Sequence, residues 1–145
     1  MNGTYASIML LAGIGVPILA TLNTALGARI GSPAAAAAVL FSVALLVSLI
    51  VVLGTGTQGL AKVAAAPRYL LLGGVLIAFY LLSITYIAPH LGVGNAIFFV
   101  LLGQLISAAA IDHWGLFGAQ ISPINLMRAS GLALMALGVW VTQQA

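Results

Sequence analysis

The sequence predicts an all-α, polytopic membrane protein that crosses the bilayer five times. Three observations lead there. Hydrophobic residues make up 63% of the chain and charged residues only 3%. A soluble domain uses about 25% charged residues to cover its surface, so the solvent for most of this chain is lipid. The apolar residues fall in five stretches of about 20 residues, the length a helix needs to cross a roughly 30 Å hydrocarbon layer. They run continuously rather than alternating with polar residues, which excludes a transmembrane β-barrel.

The five spans are expected within one transmembrane domain, 1–145, at about residues 5–26, 33–53, 69–88, 92–111 and 124–142. The first begins without a basic leader, so it is read as a retained helix rather than a cleaved signal peptide. It ends at Gly27, Arg29, Gly31 and Pro33. A Gly/Thr-rich loop at 54–59 and a basic stretch to Arg68 follow the second. Residues 69–111 contain no Lys, Arg, Asp or Glu and are too long for one crossing. The sequence Pro89-His90-Leu91-Gly92 is the turn expected to divide them. Asp112 to Pro123 is polar and glycine-containing, as a loop would be, and the fifth span follows it.

Small residues recur at helical spacing: Ala34, Ala38 and Ser42 in the second span, Ala129 and Ala133 in the fifth. Such rows let helix backbones approach in lipid, where apolar burial between helices gains little. They are also simply common in membrane helices, and spacing alone leaves both readings open.

Charge sets the expected orientation. Five crossings put Lys62, Arg68 and Arg128 on the side of the N-terminus and Arg29 with His90 on the other. The positive-inside rule then favours a cytoplasmic N-terminus. Three basic residues against one is a small bias, compatible with insertion both ways. Two oppositely oriented copies could then pair about an axis in the membrane plane, as the internally duplicated halves of many transporters do. Charge counting alone favours a single orientation, with a parallel partner or none, over the inverted pair.

Several function classes are excluded or disfavoured. There is no cysteine, hence no disulfide, thiol chemistry or Cys-ligated metal. Asp112 is the sole acidic residue, and with His90 and His113 it makes no metal-ligand cluster. No basic run exists to track phosphates, so no nucleic-acid partner is expected. No phosphate-binding glycine loop and no nucleophile–base pair is present, so neither an enzyme nor a cofactor is expected.

Five pieces of sequence carry a family resemblance. They are Pro17–Pro33 (PILATLNTALGARIGSP), Gly73-Gly74, Gly103-Gln104, Asp112–Gly118 (DHWGLFG) and the Arg/Gly tail from Arg128 to Gly138. In this order they resemble the YdcZ-like, five-helix branch of the drug/metabolite transporter (DMT) superfamily over nearly the whole chain. The chain departs in lacking a Gln between Pro17 and Asn23, and in having Tyr69 and Leu70 where that family often has a Trp before the paired glycines. The resemblance implies half of a ten-helix, inverted-repeat transporter in the inner membrane. It favours an antiparallel, dual-topology homodimer, or pairing with an oppositely oriented homologous chain. It implies a secondary transporter with a small-molecule substrate in a midplane cavity. A non-transporting membrane subunit and a passive channel are the alternatives.

Polar side chains within lipid are costly and tend to face protein or a water-filled cavity. On that ground Asn23, Ser42, Tyr80, Gln104 and Ser107 are the candidate substrate-binding residues. Each has a plainer reading. Gln104 could make an interhelical hydrogen bond, Ser42 and Ser107 could bond their own backbone, Asn23 could cap a helix end, and Tyr80 could simply pack. Pro17, which removes a backbone donor, is a candidate kink or gating point. Asp112 and Arg128 are expected to share one side of the membrane, where Asp112 either pairs with Arg128 or caps the loop; a proton-linked role for Asp112 or His113 is the alternative. No carboxylate lies at mid-membrane, so the lining suits neutral or modestly polar substrates better than strongly basic ones.

Overall fold

A computed structural model describes residues 3–144. Among these residues six α-helices follow one another: α1 (Gly3–Ile30), α2 (Pro33–Thr55), α3 (Gln58–Ala61), α4 (Leu72–Leu91), α5 (Val93–Trp114) and α6 (Leu126–Thr142). No strand occurs among the described residues. Among the described residues four helical segments are long and apolar enough to cross a membrane: Gly3–Ile30, Pro33–Thr55, Arg68–Leu91 and Val93–Trp114. α6 is apolar but has 17 residues, about 25 Å at 1.5 Å per residue, the lower limit for a crossing.

The helix ends differ from the sequence expectation in instructive ways. α1 does not stop at Leu26 but runs through Pro17 and Gly27 to Ile30, so Arg29 lies in its last turn. Gly31, at φ 69°, ends it, and the Ser32 N–H donates to the Gly27 carbonyl at 3.1 Å. Ser32 then caps α2, its side chain accepting from the Ala35 N–H, with Pro33 in the first turn. A proline there loses only a donor that would have been orphaned anyway.

The turn expected at 89–92 is confined to Gly92. α4 continues through Pro89 to Leu91 and ends where Gly92 adopts φ 87°. A proline in the last turn forfeits one intrahelical bond and leaves little helix beyond it to disturb. α5 runs on to Trp114, so Asp112 and His113 lie in its final turn rather than in a loop. Asn125 caps α6 by accepting from the Arg128 N–H at 2.8 Å, which starts that helix at Leu126 rather than Ile124. The segment between α2 and α4 holds α3 and two 3-10 turns, Val63–Ala65 and Arg68–Leu71.

The chain forms two compact units, one ending at Val93 and the other beginning at Gly94. In the first, α1, α2 and α4 pack on one another. The buried residues are mostly small: Ala20, Gly27, Ala36, Ala37 and Ala88, with Leu81, Ile84 and Thr85. Gly27 sits at a close approach of the three helices. A Cβ there would meet Pro33 Cα at 3.3 Å, Thr85 Cγ2 at 3.4 Å and Ala36 Cβ at 3.6 Å. Small residues at a three-helix junction bring backbones together where apolar burial cannot.

The rows of small residues whose spacing left packing open are not buried within this chain. Ala34, Ala38 and Ser42 are exposed, and Ala36 and Ala37 are buried instead. Ala129 and Ala133 on α6 are exposed as well. In a helix with apolar residues on every side, composition does not reveal the inward face.

Candidate functional site

Among the described residues of the first unit, one buried side-chain hydrogen bond joins two helices. Asn23 lies seven residues before the end of α1, in mid-helix rather than at a cap, and is 3% exposed. Its Nδ2 donates to Thr85 Oγ1 on α4 at 2.6 Å. The Thr85 hydroxyl donates in turn to the Leu81 carbonyl at 2.7 Å. A hydroxyl has one proton, so Thr85 can only accept from Asn23. That fixes the amide's orientation: nitrogen towards Thr85, carbonyl oxygen away. The Asn23 Oδ1 is buried and has no hydrogen-bond partner.

Thr85 was not among the residues singled out from sequence. The available signal was a threonine within an apolar stretch, which most often bonds its own backbone, as Thr85 also does. Changing Thr85 to Val should leave both ends of the Asn23 amide unpaired. We expect a stability loss of about 1–2 kcal/mol, read as a lower melting midpoint in detergent, with Thr85→Ser close to wild type.

Asn23 also lines an open groove of about 370 Å³ between α1 and α2. Its other walls are apolar, from Leu19, Leu22 and Leu26 on α1 and Val39, Leu40 and Val43 on α2. Tyr80, on α4 in the same unit, has a buried hydroxyl without a partner. Ser42 is exposed and donates to the Ala38 carbonyl at 2.8 Å. Pro17 lies in an unbroken α1, and its carbonyl accepts from the Thr21 hydroxyl at 2.9 Å.

Gln104 and Ser107 belong to the second unit. Gln104 is the twelfth of the 22 residues of α5 and is exposed. Ser107 is also exposed, and its hydroxyl is shared between the Gly103 and Gln104 carbonyls at 3.0 and 3.1 Å. The serine is therefore occupied by its own helix, whereas the glutamine amide is presented outward.

At the end of α5 the connection to α6 is tied back by polar contacts. Arg128 pairs with Asp112 at 2.5 Å and donates to the Ser122 carbonyl and hydroxyl at 2.9 and 3.0 Å. The Ser122 N–H donates to the Asp112 carbonyl, and the Ile124 N–H donates to His113 Nδ1. Accepting at Nδ1 places the proton of the neutral ring on Nε2. About a third of each ion-pair side chain is exposed, so solvent screening limits the pair's worth to about 1 kcal/mol or less. A second open groove, about 480 Å³, lies between α5 and α6 and includes Arg128, Ala109 and Gly131.

The family model described as "Putative inner membrane exporter, YdcZ" matches residues 4–141. The chain belongs to this YdcZ exporter family. Neither a curated protein nor a solved structure matches it significantly. Family membership and the four apolar spans make it a multi-pass protein of the inner membrane. In this YdcZ-family chain the candidates divide between the units. Asn23, Tyr80, Ser42 and Pro17 are in the first; Gln104, Ser107, Asp112 and Arg128 are in the second. Among the described residues no group of three or more His, Cys, Asp or Glu could hold a metal ion.

Proposed function

We propose that this protein is a secondary transporter that exports a small molecule, working as an antiparallel homodimer of the DMT type. The observation that carries the reading is Gln104. An amide with two donors and an acceptor stands exposed halfway along α5, where lipid offers it no partner. Such a group calls for a water-filled cavity or a second protein surface at that depth. A second copy inserted upside down supplies both, because mid-membrane residues come together across a two-fold axis in the membrane plane.

On this reading α6 also crosses. Its 17 residues match a bilayer thinned locally around the helix. Five crossings per copy then make ten in the dimer. Alternating access comes from rocking one copy against the other around a midplane cavity that includes Gln104. An exporter with this lining needs neither a cofactor nor catalytic chemistry.

The test is transport by proteoliposomes containing only this protein. Candidate solutes are offered under an imposed proton or sodium gradient, and the expected result is accumulation beyond equilibrium. Equilibration without accumulation would identify a passive channel, and no flux for any solute would leave a non-transporting subunit. Cysteine-accessibility labelling of both termini in cells reports orientation, and a mixed population is expected.

A further inference from the structure

The groove between α1 and α2 has a chemistry of its own. Its walls are leucine, valine and alanine apart from Asn23, whose carbonyl oxygen is buried and unpartnered. The hydrogen bond to Thr85 holds the amide so that this oxygen cannot turn to α4 for a donor. The volume, about 370 Å³, falls within the roughly 300–1,000 Å³ of small-molecule sites. At 1.5 Å per residue, Val39 and Val43 lie about 9–15 Å beyond Pro33, the first residue of α2, which brings the groove close to the bilayer midplane.

We propose that this groove is the substrate site of the exporter, and that it takes an uncharged, mainly apolar molecule carrying an N–H or O–H donor. Each part follows from the lining. The unpartnered group is an acceptor, so the ligand brings the donor. No charged side chain lines the groove, so an ion would lose its hydration without compensation. The ester carbonyls of a phospholipid are acceptors and cannot serve Asn23. The ligand's donor reaches Oδ1 as Leu22 and Leu26, one position before and three after it on α1, part to admit the apolar body. As a statement about transport this rests on the exporter reading, but binding is measured without flux.

The experiment uses the purified full-length protein in lipid nanodiscs, with two radiolabelled probes, octanamide and N,N-dimethyloctanamide. They share an acyl chain and differ in the amide donor. After subtraction of binding to empty discs, wild type is expected to bind octanamide about tenfold more tightly, a difference of about 1.4 kcal/mol. Asn23→Leu should bind the two probes equally. Val43→Trp, at a groove position that is 54% exposed and so free of the helix-packing core, should bind neither. Equal affinities in wild type, or a preference that survives in Asn23→Leu, would overturn the proposal. If Asn23→Leu does not fold, the wild-type ratio and Val43→Trp still decide. Selective binding without flux in proteoliposomes would leave the site standing as a ligand site and remove the exporter reading. Flux without selectivity would do the reverse.

Discussion

Export should fall at least about tenfold when Gln104 is replaced by leucine, with the amount of folded protein in the membrane unchanged. The size follows from losing one hydrogen bond that forms only with substrate or cavity water, about 1.4 kcal/mol per factor of ten. The unchanged folding follows from exposure. Among the described residues Gln104 is hydrogen-bonded to a side chain only through its backbone carbonyl, which leucine keeps, so the replacement removes no such contact there. Gln104→Asn should keep part of the activity, because it retains the amide on a shorter stem. Initial efflux rates from proteoliposomes, normalised to reconstituted protein, give the comparison. Rates unchanged in Gln104→Leu would place the amide outside the transport path.

The second large effect is on folding. Gly27→Leu puts a branched side chain where a single Cβ would already stand 3.3 Å from the Pro33 backbone. The α1–α2 corner cannot yield easily, since Gly31 and Ser32 join the helices within two residues. Overpacking of this kind costs about 1–3 kcal/mol when the surroundings can adjust. With backbone rather than a flexible tip opposite, the upper end is expected, as lost expression or a sharply lowered melting midpoint. Gly27→Ala should be much milder, since a shift of a few tenths of an ångström accommodates a methyl group and alanine favours the helix by about 0.5–1 kcal/mol. A leucine variant as stable as wild type would mean that the junction is looser than these distances describe.

Both expectations depend on features that differ in how far the sequence reveals them. Gln104 could be picked out from the chain alone, because an amide amid apolar residues at mid-span is conspicuous in any membrane helix. Asn23 could be suspected for the same reason, but not its role. Whether it capped a helix or bridged two depended on where α1 ended, and that was decided by Gly31 and the Gly27 packing rather than by Gly27 as a breaker. Thr85 could not be found, since a hydroxyl that bonds its own backbone has no need of another helix. The orphaned carbonyl of Asn23 exists only because Thr85 has already used its proton on Leu81. That relation spans 62 residues and leaves no trace in local pattern.

Composition by itself determined the solvent, the all-helical class and the approximate place of the long helices. Lipid demands apolar side chains and internally satisfied backbone, and only lengths near 20 residues meet that demand. The same uniform apolarity erased the amphipathic signal that marks an inward face in soluble helices. Only the tertiary structure could therefore choose Ala36 and Ala37 over Ala34 and Ala38 for burial, bring Asn23 against Thr85, and tie Arg128 to Asp112. Those choices come from shape and hydrogen bonding between helices, which depend on three-dimensional approach and not on the order of residues along one strand of chain.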